Sequence, residues 1–163
     1  MKLCVLVKQV PGSESALRIA SSNTWIEDTA ALFEMNESDN YALEEALQIK
    51  EALGNDPEVV VVSMGPERVQ KVIREALAKG ADRGIHINEM TEIKSDPFAT
   101  AQVFANVIKD ENFDLIFTGL QSDDVGSGQT GVILGELLGM ATATLVMATE
   151  VQEGSIKVKR ELE

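Results

Sequence analysis

Cysteine, histidine and aromatic side chains are the scarce materials of this 163-residue sequence, which has one Cys, one His and only 4% Phe, Trp and Tyr. A single cysteine, Cys4, excludes an internal disulfide, and its place in the apolar run 3–7 makes it a small buried hydrophobe in a reducing cytoplasm. His86 has no second histidine and no cysteine to share a metal, so a structural role in its apolar stretch is expected and no metal site. Neither a Ser/His/Asp nor a Cys/His constellation can be assembled, and no catalytic residue is assigned. Trp25, Tyr41 and the five phenylalanines are too scattered for a base-stacking surface.

Positive charge is also in short supply, with 14 Lys and Arg against 27 Asp and Glu and a formal charge of −13. Such a surface repels nucleic-acid phosphates and anionic lipid alike, which disfavours both as partners. No apolar run approaches the roughly 20 residues of a membrane-spanning helix. Lys8 and Gln9 interrupt the first run before it can serve as a secretory signal, so a cytoplasmic protein without direct membrane insertion is expected.

With 44% hydrophobic residues, the chain can bury one substantial core, and residues 1–163 are read as a single domain. Strand and helix signals alternate along it. The run 3–7 reads as a strand covered on both faces, and the runs 58–64, 83–87 and 113–118 read as further strands. Between them lie helical patterns. One is opened by Asn36 as N-cap with Asp39 as its capping-box partner, and is closed by Gly54. The next runs from Gly65-Pro66 to Gly80, and another runs from Ser95-Asp96-Pro97 to about residue 109. A fourth covers 129–138, with Gly139 beyond its end. Residues 144–148 read as a fifth sheet strand and 155–162 as an edge strand with one solvated face. The segment 13–28 is an irregular excursion or a small hairpin. This order implies right-handed crossovers and an α/β fold with a doubly wound parallel sheet.

Ligands of such sheets bind beyond the carboxyl ends of the strands, where the strand order reverses. Only one loop at that edge is dense in small polar residues, the stretch 119–131, GLQSDDVGSGQTG. Its glycines let main-chain amides approach an anion, and the helix starting near Gln129 points its positive end there. Ser127 and Thr130 add hydroxyl donors. The same composition also suits a plain strand-to-helix connector. The loop is neither a Walker motif nor GxGxxG. Asp123-Asp124 can hold magnesium or act as an acid/base pair, but adjacent loop residues usually point apart, and capping or solvation is the expectation.

Several stretches, taken together, resemble the electron-transfer flavoprotein beta subunit. They are VKQVP at 7–11, MNESD at 35–39, ALEEALQIKE at 42–51, VSMGP at 62–66, ALAKGADR at 76–83, and GLQSDD at 119–124 through QTG at 129–131. The resemblance implies a Rossmann-like, adenine nucleotide alpha hydrolase-like (HUP-type) domain. It implies an FAD-containing heterodimer with an alpha subunit, carrying electrons between flavin-linked dehydrogenases and a quinone reductase or other acceptor. It also implies AMP, or a second FAD, held in this subunit by Leu6, Asn36, Glu37, Ser38, Asp39, Met64, Gln121, Ser122, Asp124, Gly126, Ser127, Gly128, Gln129, Thr130, Gly131 and Val132. Gly126 and Gly128 stand where many AMP-binding members carry aspartate and asparagine. Family members normally continue further, so the C-terminal partner-docking region is expected to be absent here. The competing reading is a stand-alone adenine-nucleotide sensor of the universal stress protein kind. A nucleotide-dependent ligase or hydrolase needs a lysine or histidine near the phosphate loop, and none is evident in the sequence.

Overall fold

The computed structural model describes residues 1–54, 56–88 and 96–161. Four parallel strands form the central sheet: β1 (Lys2–Leu6), β4 (Glu58–Gly65), β5 (Arg83–Asn88) and β6 (Leu115–Thr118), in the order β5-β4-β1-β6. β1 lies between β4 and β6, with Leu6 opposite both Val62 and Thr118. Its side chains, like those of β4, are buried on both faces because helices cover both sides, which is why the two strands read as unbroken apolar runs.

Alternate residues of the sheet feed two cores. Leu3, Val5, Val7, Val59 and Val61 meet Leu43, Ala46 and Leu47 of α1 (Glu37–Ala52) and Val72 and Ala76 of α2 (Gln70–Lys79). Cys4, Leu6, Val60 and Val62 meet Ala101, Phe104 and Ile108 of α3 (Pro97–Ile108) and Leu134 of α4 (Thr130–Leu138). The result is a helix-sheet-helix sandwich with parallel crossovers, as expected.

Helix punctuation follows the residues that suggested it. Gly80 ends α2 at φ 124 and Gly139 ends α4 in the left-handed region. Pro97 opens α3, where the Asp96 carboxylate accepts from the Phe98 amide at 2.9 Å. A 3-10 turn (Glu67–Val69) intervenes between Pro66 and α2. Ser95 and Leu162, the outer bounds of two expected elements, lie outside the described residues.

The expected fifth parallel strand at 144–148 is not part of the sheet. β7 (Val146–Gln152) turns back antiparallel onto β8 (Ser155–Arg160) instead, and the hairpin rests on α1, where Thr149 donates to Glu45 from its amide at 2.7 Å. The run Leu145-Val146-Met147 misleads because its side chains, 37–62% exposed, are not in the core. The segment 13–28 is the small hairpin rather than an irregular excursion, closed by one bridge between Ile19 and Ile26. Two short strands, β2 (Gln9–Pro11) and β3 (Phe33–Met35), pair antiparallel at its base and bring the chain from β1 to α1.

Candidate functional site

From β1 the chain steps to β4 and β5 on one side, then crosses back to place β6 on the other, so strand order reverses between β1 and β6. Their carboxyl ends release Val7-Lys8 and the loop 119–129 side by side, and the start of α1 sits against both.

Three residues of the α1 start organise the crevice. Asn36, 1% exposed, donates from Nδ2 to the Gln121 carbonyl at 2.9 Å and accepts at Oδ1 from the Asp123 amide at 3.0 Å. The Ser38 hydroxyl donates to the same carbonyl at 2.7 Å. Asp39 accepts at Oδ2 from the Lys8 amide at 2.8 Å and at Oδ1 from the Gly119 amide at 3.0 Å. The capping box expected between Asn36 and Asp39 is therefore not formed: Asn36 makes no side-chain cap bond, and both side chains serve distant loops instead. Burial raises the Asp39 carboxyl to about 6, against the opposing pull of its two amide donors.

The two loop aspartates are likewise engaged. Asp123 Oδ2 accepts from the Glu37 amide at 3.3 Å, supplying a negative charge at the positive end of α1. Asp124 Oδ1 accepts from Lys8 Nζ at 2.6 Å and from the Val125 amide at 2.8 Å. Burial pushes Asp124 up, but the Lys8 and Ser122 bonds and the Lys8 charge prevail and hold its carboxyl below the usual range. The aspartate pair thus caps and cross-links, as its adjacent spacing suggested, and among the described residues no three His, Cys, Asp or Glu gather to hold a metal.

Lys8 corrects the sequence reading, which found no lysine near the loop: its ammonium lies 3.1 Å from Ser122 Oγ. It is paired with Asp124. The signal that could have found it is positional, since the residues just beyond β1 lie beside the loop beyond β6 once the strand order is known. His86, by contrast, donates from Nε2 to the Gly65 carbonyl at 2.9 Å, the structural part expected of it.

Beyond Asp124 the loop turns back on itself, the Gly126 amide donating to the Ser122 carbonyl at 2.8 Å. Gly126 and Gly128 take φ 68 and 61, the left-handed region that side chains resist, and turn the main chain twice before α4. Gln129 stands at the α4 N-cap without a side-chain cap bond, and the first turn of α4 holds no acidic residue. The first amides of a helix have no partner within it. A Cβ at Gly131 would lie 2.5 Å from Thr118 Oγ1, so glycine lets that turn sit directly on the strand end.

Of the residues implicated by resemblance, Leu6 is buried at the end of β1 and Met64 is half-buried near the end of β4, both at this edge. Asn36, Ser38, Asp39, Gln121, Ser122 and Asp124 are joined by the bonds above, and the Glu37 amide meets Asp123. Gly126, Ser127, Gly128, Gln129 and Val132 are exposed, with Thr130 and Gly131 half-buried. Two shallow hollows lie elsewhere: one of about 320 Å³ between α1 and β7, and one of about 200 Å³ between α3 and α4.

The architecture is that of a doubly wound α/β domain whose carboxyl edge carries a glycine loop and a bare helix start. Residues 24–163 match the model of the electron transfer flavoprotein domain. The chain is 36% identical over its whole length to the electron transfer flavoprotein subunit beta of Methylophilus methylotrophus, covering 62% of that protein. It is 39% identical to the subunit beta of Bradyrhizobium diazoefficiens, again over the whole chain and 64% of the relative. It is 40% identical over 144 residues to the mitochondrial subunit beta of Arabidopsis thaliana, 88% of this chain and 56% of the relative. The chain belongs to the electron transfer flavoprotein family, and it spans under two thirds of the length of these relatives. Membership does not favour the stand-alone sensor reading. No helix among the described residues is long and apolar enough to cross a membrane.

Proposed function

We propose that residues 1–163 form one nucleotide-holding domain of a cytoplasmic electron transfer flavoprotein beta subunit, with AMP, or the adenosine phosphate part of a second FAD, seated in the crevice between β1 and β6. The observation that carries this reading is the bare start of α4 behind Gly126 and Gly128, beside a loop whose acidic side chains are already neutralised by Lys8 and the α1 start. An anionic phosphate placed there meets amide donors and a helix dipole without facing a free carboxylate.

The side chains divide the work. Ser127, Gln129 and Thr130 flank the phosphate position, and Gly131 keeps the first turn of α4 open. Leu6 and Met64 close the crevice floor beneath the nucleoside. No side chain serves as a catalytic acid or base. An FAD shared with an alpha subunit supplies the redox chemistry when bound, and the protein's part is binding and orientation. Electrons then pass between flavin-linked dehydrogenases and a quinone reductase or other acceptor.

The test is mass spectrometry of the small molecule released when the purified chain is denatured. Release of AMP or FAD is the expected result. A chain that releases neither, and takes up neither on addition, ends the proposal.

A further inference from the structure

We propose that Asp39 is a positioning residue rather than a ligand contact, its two carboxylate oxygens fixing the Lys8 and Gly119 amides on opposite lips of the crevice and so setting the spacing of the phosphate-holding loops. This rests on the nucleotide reading of that crevice.

The geometry leaves Asp39 little else to do. Each oxygen already takes a main-chain amide, at 2.8 and 3.0 Å, and the residue is 7% exposed. The amides it joins leave adjacent parallel strands and are 111 positions apart in the chain, counting from Lys8 to Gly119. Space is equally committed on the far lip, where a Cβ at Gly119 would lie 2.2 Å from Asp39 Oδ1 and 2.8 Å from the Asp39 amide nitrogen. Glycine at 119 and aspartate at 39 are thus one fitted pair. Asn36 and Ser38 extend the arrangement by holding the Gln121 carbonyl, so the start of α1 acts as a template for residues 119–123.

A buried carboxylate serves better than an amide at this point because it offers two acceptors and no donor. Asparagine keeps one acceptor, and its NH2 group must face an N–H. The charged and titratable groups around Asp39 are Lys8 at the β1 exit, Asp123 and Asp124 on the loop, and Glu37 on its own helix. Lys8 is paired with Asp124, and Asp123 is spent on the Glu37 amide. Within this set the ionised Asp39 alone bridges the two lips through main-chain amides, beside the side-chain pair of Lys8 and Asp124.

Two measurements on the 163-residue chain test this. First, Asp39→Asn is compared with the wild type by amide hydrogen exchange and by AMP titration at pH 7.5. Loss of one charge-assisted bond is expected to speed exchange at the Lys8 and Gly119 amides about tenfold and to weaken AMP binding by a similar factor, while exchange in the centre of β4 is unchanged. Wild-type exchange at both amides would overturn the proposal. If the wild type itself binds no AMP, the nucleotide reading fails, and the exchange data still judge the bridge. Second, should the variant not fold, the ligand-free wild type is titrated from pH 7.5 to 4.5 by NMR, which avoids the phosphate's own titration near pH 6. The Lys8 and Gly119 amide shifts are expected to move together with the Asp39 carboxyl carbon, with a midpoint of about 6. Amide shifts that ignore that carboxyl would overturn the proposal.

Discussion

Lys8 and Asp124 meet at 2.6 Å across the crevice between β1 and β6, the one ion pair among those described that ties the first strand's exit to the glycine loop. The Lys8 side chain is 41% exposed and that of Asp124 21%, so solvent screens the pair. Replacing Lys8 with Met is expected to cost only about 0.5–1 kcal/mol of stability. Its larger effect falls on the loop, because Asp124 and Ser122 lose their common anchor. Calorimetric titration should show AMP binding weakened several-fold, and the wild type's sensitivity to salt reduced. A stability loss without any change in binding would contradict this role.

Asp39 supplies a pH dependence of opposite sign to the usual carboxylate. Its folded value of about 6 lies above the ordinary 3.8, so the folded state takes up a proton first as pH falls. The stabilisation from protonation is complete below 3.8 and is lost as pH rises through 6, and ionised Asp39 costs about 3 kcal/mol at neutral pH. Denaturant unfolding should therefore show the wild type gaining about 1 kcal/mol relative to Asp39→Asn between pH 7 and pH 5. No such gain is expected if the carboxyl is freely hydrated.

At the opposite end of the sheet the sign reverses. Glu111 is drawn down to about 2 by hydrogen bonds from Arg83 and Lys2, which join β1 and β5 to the turn before β6. This contribution is present above pH 4.5 and lost as pH falls through 2. Solvent around the pair limits it to about 1 kcal/mol. Glu111→Gln should flatten that part of the acid-unfolding profile and leave nucleotide binding unchanged, since the cluster lies at the amino edge.

Two glycines give a graded steric test. At Gly131 the obstructing atom is a threonine hydroxyl, Oγ1 of Thr118, which a rotamer change can move. At Gly119 a Cβ would press on the main-chain nitrogen of Asp39, which cannot move without shifting α1. Gly119→Ala should thus destabilise by about 1–3 kcal/mol and more than Gly131→Ala, and Thr118→Ala should relieve only the latter. Thermal unfolding of the three single variants and the Gly131/Thr118 double variant decides it.

These residues also show what was legible in the sequence. The strands at 3–7 and 58–64 could be read because burial on both faces enforces unbroken apolar runs, and the helices because Pro97, Gly80 and Gly139 punctuate them by backbone geometry. The stretch 144–148 has a similar apolar look but lies in an exposed hairpin, since composition reports fitness for a strand and not which partner the strand finds. The short pair β2–β3 carries too few residues for any period to show. At the site, the glycine loop was legible through its composition. The work of Asn36 and Asp39 was not: local spacing favours a capping box, whereas their actual partners are Gln121, Asp123 and Gly119, brought near only by the fold. Lys8 was hidden for the same reason.

The central claim is that an adenine nucleotide's phosphate is held by main-chain nitrogens at the start of α4. Titrating AMP into isotopically labelled chain and following the backbone amides tests it most directly. The account predicts the largest shifts at Thr130, Gly131 and Val132, with smaller ones at Gly126 and Gly128. Saturating AMP that leaves these amides unmoved, or shifts instead those around Glu45 and Thr149 in the hollow between α1 and β7, would contradict it.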